Sequence, residues 1–239
     1  MGSLPTVFSS SGGDGPNYHA ICETLASDDK KISPTRFHNS VHNAPSGYWS
    51  IATRDMASSN VLCAHDASFG AGLLDALSQI LCDNATVMLV AYESDYPEPL
   101  RTVRPIPDAF GLALILSPEP SAHALACIDV ELTDVRHDTL AHAQLESLRS
   151  AVPSARGLPL LAALAATIDL TPAIGSAALS ELTSNVASAA PSDVLTDVAS
   201  GAARAGHAEQ AARANHVATH DCVIEYLPGS TLQIKVSAC

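Results

Sequence analysis

A layered α/β fold is what this sequence predicts, and three observations carry the prediction. Short apolar runs of strand length, such as Val87–Tyr92 and Leu112–Leu116, alternate through the first half with segments of helical spacing. Turns bearing Gly, Pro, Asn and Ser separate them. Hydrophobic residues make up 47% of the 239 against 15% charged, enough material for a buried core and too much for a chain that stays disordered.

Taken in order, Val7–Ser10 reads as a strand running into Gly12-Gly13-Asp14-Gly15, with Pro16 where a helix can begin. Tyr18, Ile21, Cys22 and Leu25 then share one helical face, and the polar Ser27–Lys31 run ends it. Ser33-Pro34 opens a stretch rich in Asn, His and Ser that reads as an ordered loop or irregular turn. Asn60–Ala64 is a buried strand. From Asp66, placed as an N-cap, the positions Phe69, Leu73, Ala76, Leu77, Ile80 and Leu81 keep helical spacing. Cys82-Asp83-Asn84 stops that helix, and Val87–Tyr92 is continuous enough in apolar character for a strand covered on both faces.

Ser94–Pro107 holds four prolines and is expected as an exposed loop. Leu112–Leu116 and Ala126–Leu132 are two further strands, the second alternating. Beyond Asp134 the texture turns to Ala, Ser and Leu, with helices expected over Leu140–Ser150, Leu158–Thr167 and Val194–Ala214, although Gly201 and Gly206 weaken the last. Cys222–Leu227 and Thr231–Val236 flank Pro228-Gly229-Ser230 as a hairpin. The chain therefore divides at residue 132: 1–132 is one α/β unit, and 133–239 is an Ala-rich helical segment ending in a β-hairpin.

Twelve Lys+Arg against twenty-five Asp+Glu leave a net charge of −13, which repels phosphate backbones and anionic lipid, so nucleic acid is excluded as a partner. No apolar run approaches the roughly 20 residues of a membrane span. The N-terminus lacks a basic region ahead of an apolar core, so no signal peptide is expected and the location expected is cytoplasmic. Six cysteines, Cys22, Cys63, Cys82, Cys127, Cys222 and Cys239, stand singly, which reads as reduced thiols, mostly small core residues.

Several residues invite chemistry. Gly12-Gly13-Asp14-Gly15 lacks both the Lys-Ser/Thr of a phosphate loop and the spacing of a dinucleotide fingerprint, and reads as a tight turn. His137, beside Asp138, and His142 are five apart, awkward for one helical face. His216 and His220, beside Asp221 and Cys222, are four apart and share a face only if helix continues that far. Both sets read as surface histidines, and neither metal nor cofactor is expected. Cys63 and His65 suggest a nucleophile pair, but nothing orients a base. Asn84-Ala85-Thr86 reads as a helix-ending turn. Asp66 is either an ordinary N-cap or a side chain that a strand-to-helix elbow projects into a site.

Ser33-Pro34, then Ser40-Val41-His42-Asn43-Ala44, Gly47 and Ser50-Ile51, resemble the segment of β-ketoacyl-acyl-carrier-protein synthases that leads into their nucleophile elbow. Pro107-Asp108-Ala109-Phe110-Gly111 ahead of Leu112–Leu116 resembles that family's "GDGAG" strand, and the likeness spans roughly residues 4–132. The resemblance implies a thiolase-like, layered α-β-α fold in truncated form, with a start that omits the family's first strand and helices and a divergent, more helical C-terminal half. Laid on the family pattern without gaps from Ser33, the chain puts Asp66 in the place of the nucleophilic cysteine, and a register slipped by three puts Phe69 there. Neither side chain forms a thioester. The family's "HGTGT" signature is absent after Leu132. Such a chain resembles the small chain-length-factor subunits of aryl-polyene and xanthomonadin-type clusters.

That resemblance implies no catalytic residue of its own, a full-length ketosynthase as heterodimeric partner, and acyl carrier proteins that serve the pair. It places Phe37, His42, Asn43, Tyr48 and Trp49 near the partner together with the Asp66–Leu81 helix. Phe69, Leu73 and Leu77 become candidates for a tunnel floor or interface, with plain core as their other reading. Two further readings stay open: an acyltransferase with its own condensing or thioesterase-like activity that uses Asp66 with His65 or a histidine from the divergent half, and a free-standing binding or scaffold protein.

Overall fold

The structure is a computed structural model that describes residues 3–168 and 219–239. Strand β1 (Thr6–Ser9) leads to α1 (Gly15–Ala26), whose Asp14 cap accepts the Asn17 amide at 3.0 Å. The stretch expected as an irregular loop folds instead into α2 (Pro34–Asn39) and α3 (Ala44–Thr53). Each carries proline in its first turn, where the missing amide costs no hydrogen bond, and Ser33 caps α2. The Asn, His and Ser composition conceals these start signals.

Strand β2 (Ser59–Leu62) follows, then a 3-10 turn over His65–Ala67 and α4 (Ser68–Asp83). Asp66 therefore does not cap the helix as expected. It lies inside the turn, where its carboxylate has arginine partners. Asn84, left-handed at φ 52°, ends α4 and donates its amide to Ile80 at 3.0 Å. Strand β3 (Val87–Glu93), the short α5 (Leu100–Val103) and β4 (Phe110–Leu116) come next. The proline-rich connection is not simply exposed: Tyr96 and Ile106 are buried and joined by a 3.0 Å backbone bond.

Strand β5 (Cys127–Thr133), α6 (Ala143–Ala151), a 3-10 turn over Pro153–Gly157 and α7 (Leu158–Thr167) precede the closing hairpin of β6 (His220–Glu225) and β7 (Thr231–Ser237). The helix expected over Val194–Ala214 lies outside the described residues.

Two sheets result. The first runs β2-β1-β3-β4, with β1 parallel to both neighbours and β4 antiparallel to β3. The second is antiparallel, in the order β5-β7-β6. Helix α4 lies between them, and two of its glycines make this possible. A Cβ on Gly72 would sit 2.8 Å from Ser9 and 2.9 Å from Leu89 on the first sheet. One on Gly70 would sit 2.7 Å from Tyr226 beside the second. The core is continuous through these layers: Val7, Leu73, Ile80 and Leu89 join Leu160, Ile224, Leu232 and Ile234. The residue-132 division expected from the sequence falls inside β5, a strand that pairs with β7.

The cysteines depart from expectation. Cys127 and Cys239 form a disulfide across 112 residues, because the pairing of β5 with β7 brings their Cα atoms within 5.3 Å. Cys22, Cys63 and Cys82 are exposed, and only Cys222 is buried among the free thiols. Burial pushes the Cys222 thiol up to about 12, which keeps it protonated.

Candidate functional site

The carboxyl ends of β1, β2 and β3 converge where open α/β sheets present their sites. The chain leaves β2 through Cys63 and Ala64 and turns sharply at His65, whose φ is 52°. The other left-handed non-glycine residues described, Arg54 and Asn84, are helix C-caps, so His65 is the one whose strained backbone serves the elbow itself. Ser68 secures the turn: its hydroxyl accepts the Ala64 amide at 3.0 Å and donates to the His65 carbonyl at 2.7 Å.

The elbow presents Asp66 to two guanidiniums. Arg104 donates to Oδ1 at 2.9 Å, and Arg156 approaches Oδ2 at 3.3 Å. A second Arg104 nitrogen donates to His65 Nε2 at 2.7 Å, which leaves the imidazole proton on Nδ1, 3.4 Å from Asp66. Burial is the largest single influence on Asp66 and acts upward. The Arg104 hydrogen bond and the charges of Arg156 and Arg104 outweigh it together, so the acid lies below its usual range and stays ionised.

The network continues away from the elbow. Arg156 lies 3.4 Å from Glu225, Arg149 reaches Glu225 at 3.1 Å, and Arg149 grips Glu146 through two nitrogens at 2.7 and 2.8 Å. That bidentate grip, with the Leu140 amide, holds the Glu146 acid down at about 2. Glu93, at the end of β3, is buried and accepts the Ser11 amide at 2.8 Å and the Ser11 and Ser154 hydroxyls at 2.9 and 3.1 Å. Its burial pushes the acid upward against those bonds. Cys63, the nearest thiol to the elbow, donates from Sγ to the Ser11 carbonyl at 3.0 Å. Among the described residues no cluster of His, Cys, Asp and Glu is fit to hold a metal ion. His142 caps α6 instead, with Nδ1 3.5 Å from the Leu145 amide.

The residues expected at a partner or tunnel divide sharply. Phe37, Tyr48 and Trp49 are exposed on α2 and α3, with Phe37 64% open, and Asn43 lies exposed ahead of α3. His42 donates from Nε2 to the Leu62 carbonyl at 2.9 Å and ties this surface to the end of β2. His42, Tyr48, Val41 and Asn39 line a half-open pocket of about 260 Å³, which Tyr92 and Ser94 close from the end of β3. Leu77 is half-buried against the core. Phe69 and Leu73, however, are 1% and 0% exposed inside this chain, so they are core residues and offer no surface to a partner. Sequence reasoning missed Arg104 and Arg156. Arg104 comes from the proline-rich connection, 38 residues from Asp66, and no local spacing announces such a contact.

A family model described as β-ketoacyl synthase, N-terminal domain, matches residues 1–174. This chain belongs to the β-ketoacyl synthase family. The layered α/β architecture is accordingly the ketosynthase, thiolase-like one expected from the sequence. Among solved structures it is similar to a chain of the ketosynthase (ApeO) in complex with its chain length factor (ApeC) from Xenorhabdus doucetiae. The two share 26% identity over 56% of this chain, with a TM-score of 0.49. This β-ketoacyl synthase family member spans about half of that chain, 54% of its length. No curated protein matches it.

Proposed function

We propose that this chain is a non-catalytic, chain-length-factor-type subunit that pairs with a full-length β-ketoacyl-acyl-carrier-protein synthase. The partner performs the condensations, acyl carrier proteins deliver the growing chain, and this subunit shapes the partner's acyl tunnel. Chain length then follows from differential fit: extension stops when the closed tunnel has no more room. The setting that the sequence resemblance favours is an aryl-polyene-type pathway.

The observation that carries the reading is Asp66 between Arg104 and Arg156. An acyl transferase of this family needs a nucleophile at its elbow. In the register of the resemblance that place holds a carboxylate that is ionised and already paired. Cys63 comes three residues earlier and is engaged with Ser11. Family membership together with a spent elbow favours a subunit that acts through a partner. The outer edges of β2 and β4, unpaired among the described residues, and the exposed side chains of Phe37, Tyr48 and Trp49 favour it too, because open edges invite strand pairing and association covers apolar surface.

Covalent loading tests the proposal. Incubated with acyl-carrier-protein thioester, this chain keeps its unmodified mass while a ketosynthase in the same tube gains the acyl group. Acyl mass on this chain would make it an acyltransferase in its own right and place the nucleophile at Cys63 or another side chain.

A further inference from the structure

The chain is strongly acidic, yet residues 30–54 carry four of its twelve Lys+Arg and none of its twenty-five Asp+Glu. This acid-free stretch is α2, α3 and their connections. Lys30, Arg36 and Arg54 are exposed, with no carboxylate within ion-pair distance among the described residues. Most other cations described are paired: Arg101 with Asp95, Arg104 and Arg156 with Asp66, Arg149 with Glu146, and Lys235 with Glu131. The same stretch exposes large apolar side chains, Phe37 at 64%, Val41 at 48%, Tyr48 at 49% and Ile51 at 73%. Between them opens the 260 Å³ pocket lined by Val41, His42 and Tyr48. The Asp14 carboxylate that caps α1 is also in its wall, so the partner side chain the pocket takes is apolar or neutral.

We infer that the α2–α3 surface docks an acidic, apolar-centred face of a partner protein, with one partner side chain seated in the pocket beside Tyr48. The inference rests on the pairing proposed above and adds the chemistry of the partner's face. Three features select this occupant. Unpaired cations in a stretch that also exposes large apolar side chains match a face bearing both carboxylates and apolar groups, and such matching steers encounter as well as holding the complex. The concavity suits a protruding anchor side chain, the arrangement in which few contacts carry most of the affinity. A fluid bilayer offers no such protrusion, and the chain's net charge of −13 opposes approach to anionic lipid.

The test measures the dissociation constant of the full chain with its ketosynthase for wild type, Arg36→Glu, Arg54→Asn and the control Arg136→Glu. Asparagine suits position 54 because it tolerates the left-handed φ of 56° found there. Arg136 is an exposed cation outside the stretch and without an ion pair among the described residues. The expected result is about tenfold weaker binding for Arg36→Glu and a smaller loss for Arg54→Asn, with Arg136→Glu unchanged. Wild-type affinity falls as salt rises from about 0.05 to about 0.5 M. A heterodimer that forms with equal affinity in every variant overturns the acidic-face assignment while leaving the pairing intact. Failure of the wild type to pair at all overturns both. Binding to phosphatidylserine vesicles that Arg36→Glu abolishes would assign the surface to a membrane and overturn it likewise.

Discussion

The Asp66 carboxylate lies 2.9 Å from the Arg104 guanidinium, at the one place in the fold where a strand of the parallel group turns directly into the buried helix α4. Arg156 completes the clamp from the turn ahead of α7. The elbow is therefore occupied by a finished ion pair, anchored through Glu225 to the second sheet.

That clamp makes a prediction about a thiol placed there. In an Asp66→Cys variant, the two guanidiniums that now face the carboxylate stabilise a thiolate instead. Position 66 is then alkylated by iodoacetamide faster than the exposed Cys22 and Cys82, and peptide mass mapping reads the order directly. Equal rates at all three positions would show that Arg104 and Arg156 do not govern the elbow.

Leu73 tests the assignment of α4's apolar face. It is 0% exposed within this chain, so Leu73→Ala leaves a cavity and costs about 2–5 kcal/mol in unfolding experiments. The products of the assembled synthase are expected to keep their length, because the side chain is enclosed within this chain. Longer products from a variant of undiminished stability would restore the tunnel role that the family resemblance implies.

Glu146 gives a pH signature. Its acid is held at about 2 by Arg149, against 4.5 for a free glutamate, so the folded chain binds this proton less readily than the unfolded one. The stabilisation is therefore present above about pH 4.5 and is lost as pH falls toward about 2. Wild type exceeds Glu146→Gln in urea midpoint at neutral pH, and the gap closes through that acid window. Glu93 runs the other way: burial raises its acid, so its protonated form suits the fold and its contribution weakens as pH climbs above the ordinary glutamate value. A gap for Glu146→Gln that stays constant down to pH 2 would refute the Arg149 grip as its source.

How much of this was legible in the sequence differs from element to element. Helix α4 was, because Phe69, Leu73, Ala76 and Ile80 repeat at helical spacing and all four are buried. The closing hairpin was, because a Pro-Gly-Ser turn between two alternating runs admits few other folds. Helices α2 and α3 were not. Their apolar residues face outward, so no buried stripe marks them, and only Ser33-Pro34 and Ala44-Pro45 signal their starts. At the site, Asp66 was visible by its place after a strand, whereas its arginines arrive from distant loops. The Cys127–Cys239 pair is likewise a product of strand register rather than of spacing.

The most direct measurement is native mass spectrometry of this chain co-expressed with a full-length ketosynthase encoded beside its gene. The account predicts a one-to-one heterodimer whose acyl mass resides only on the ketosynthase. A lone monomer of this chain, or acyl mass on it, would contradict the account.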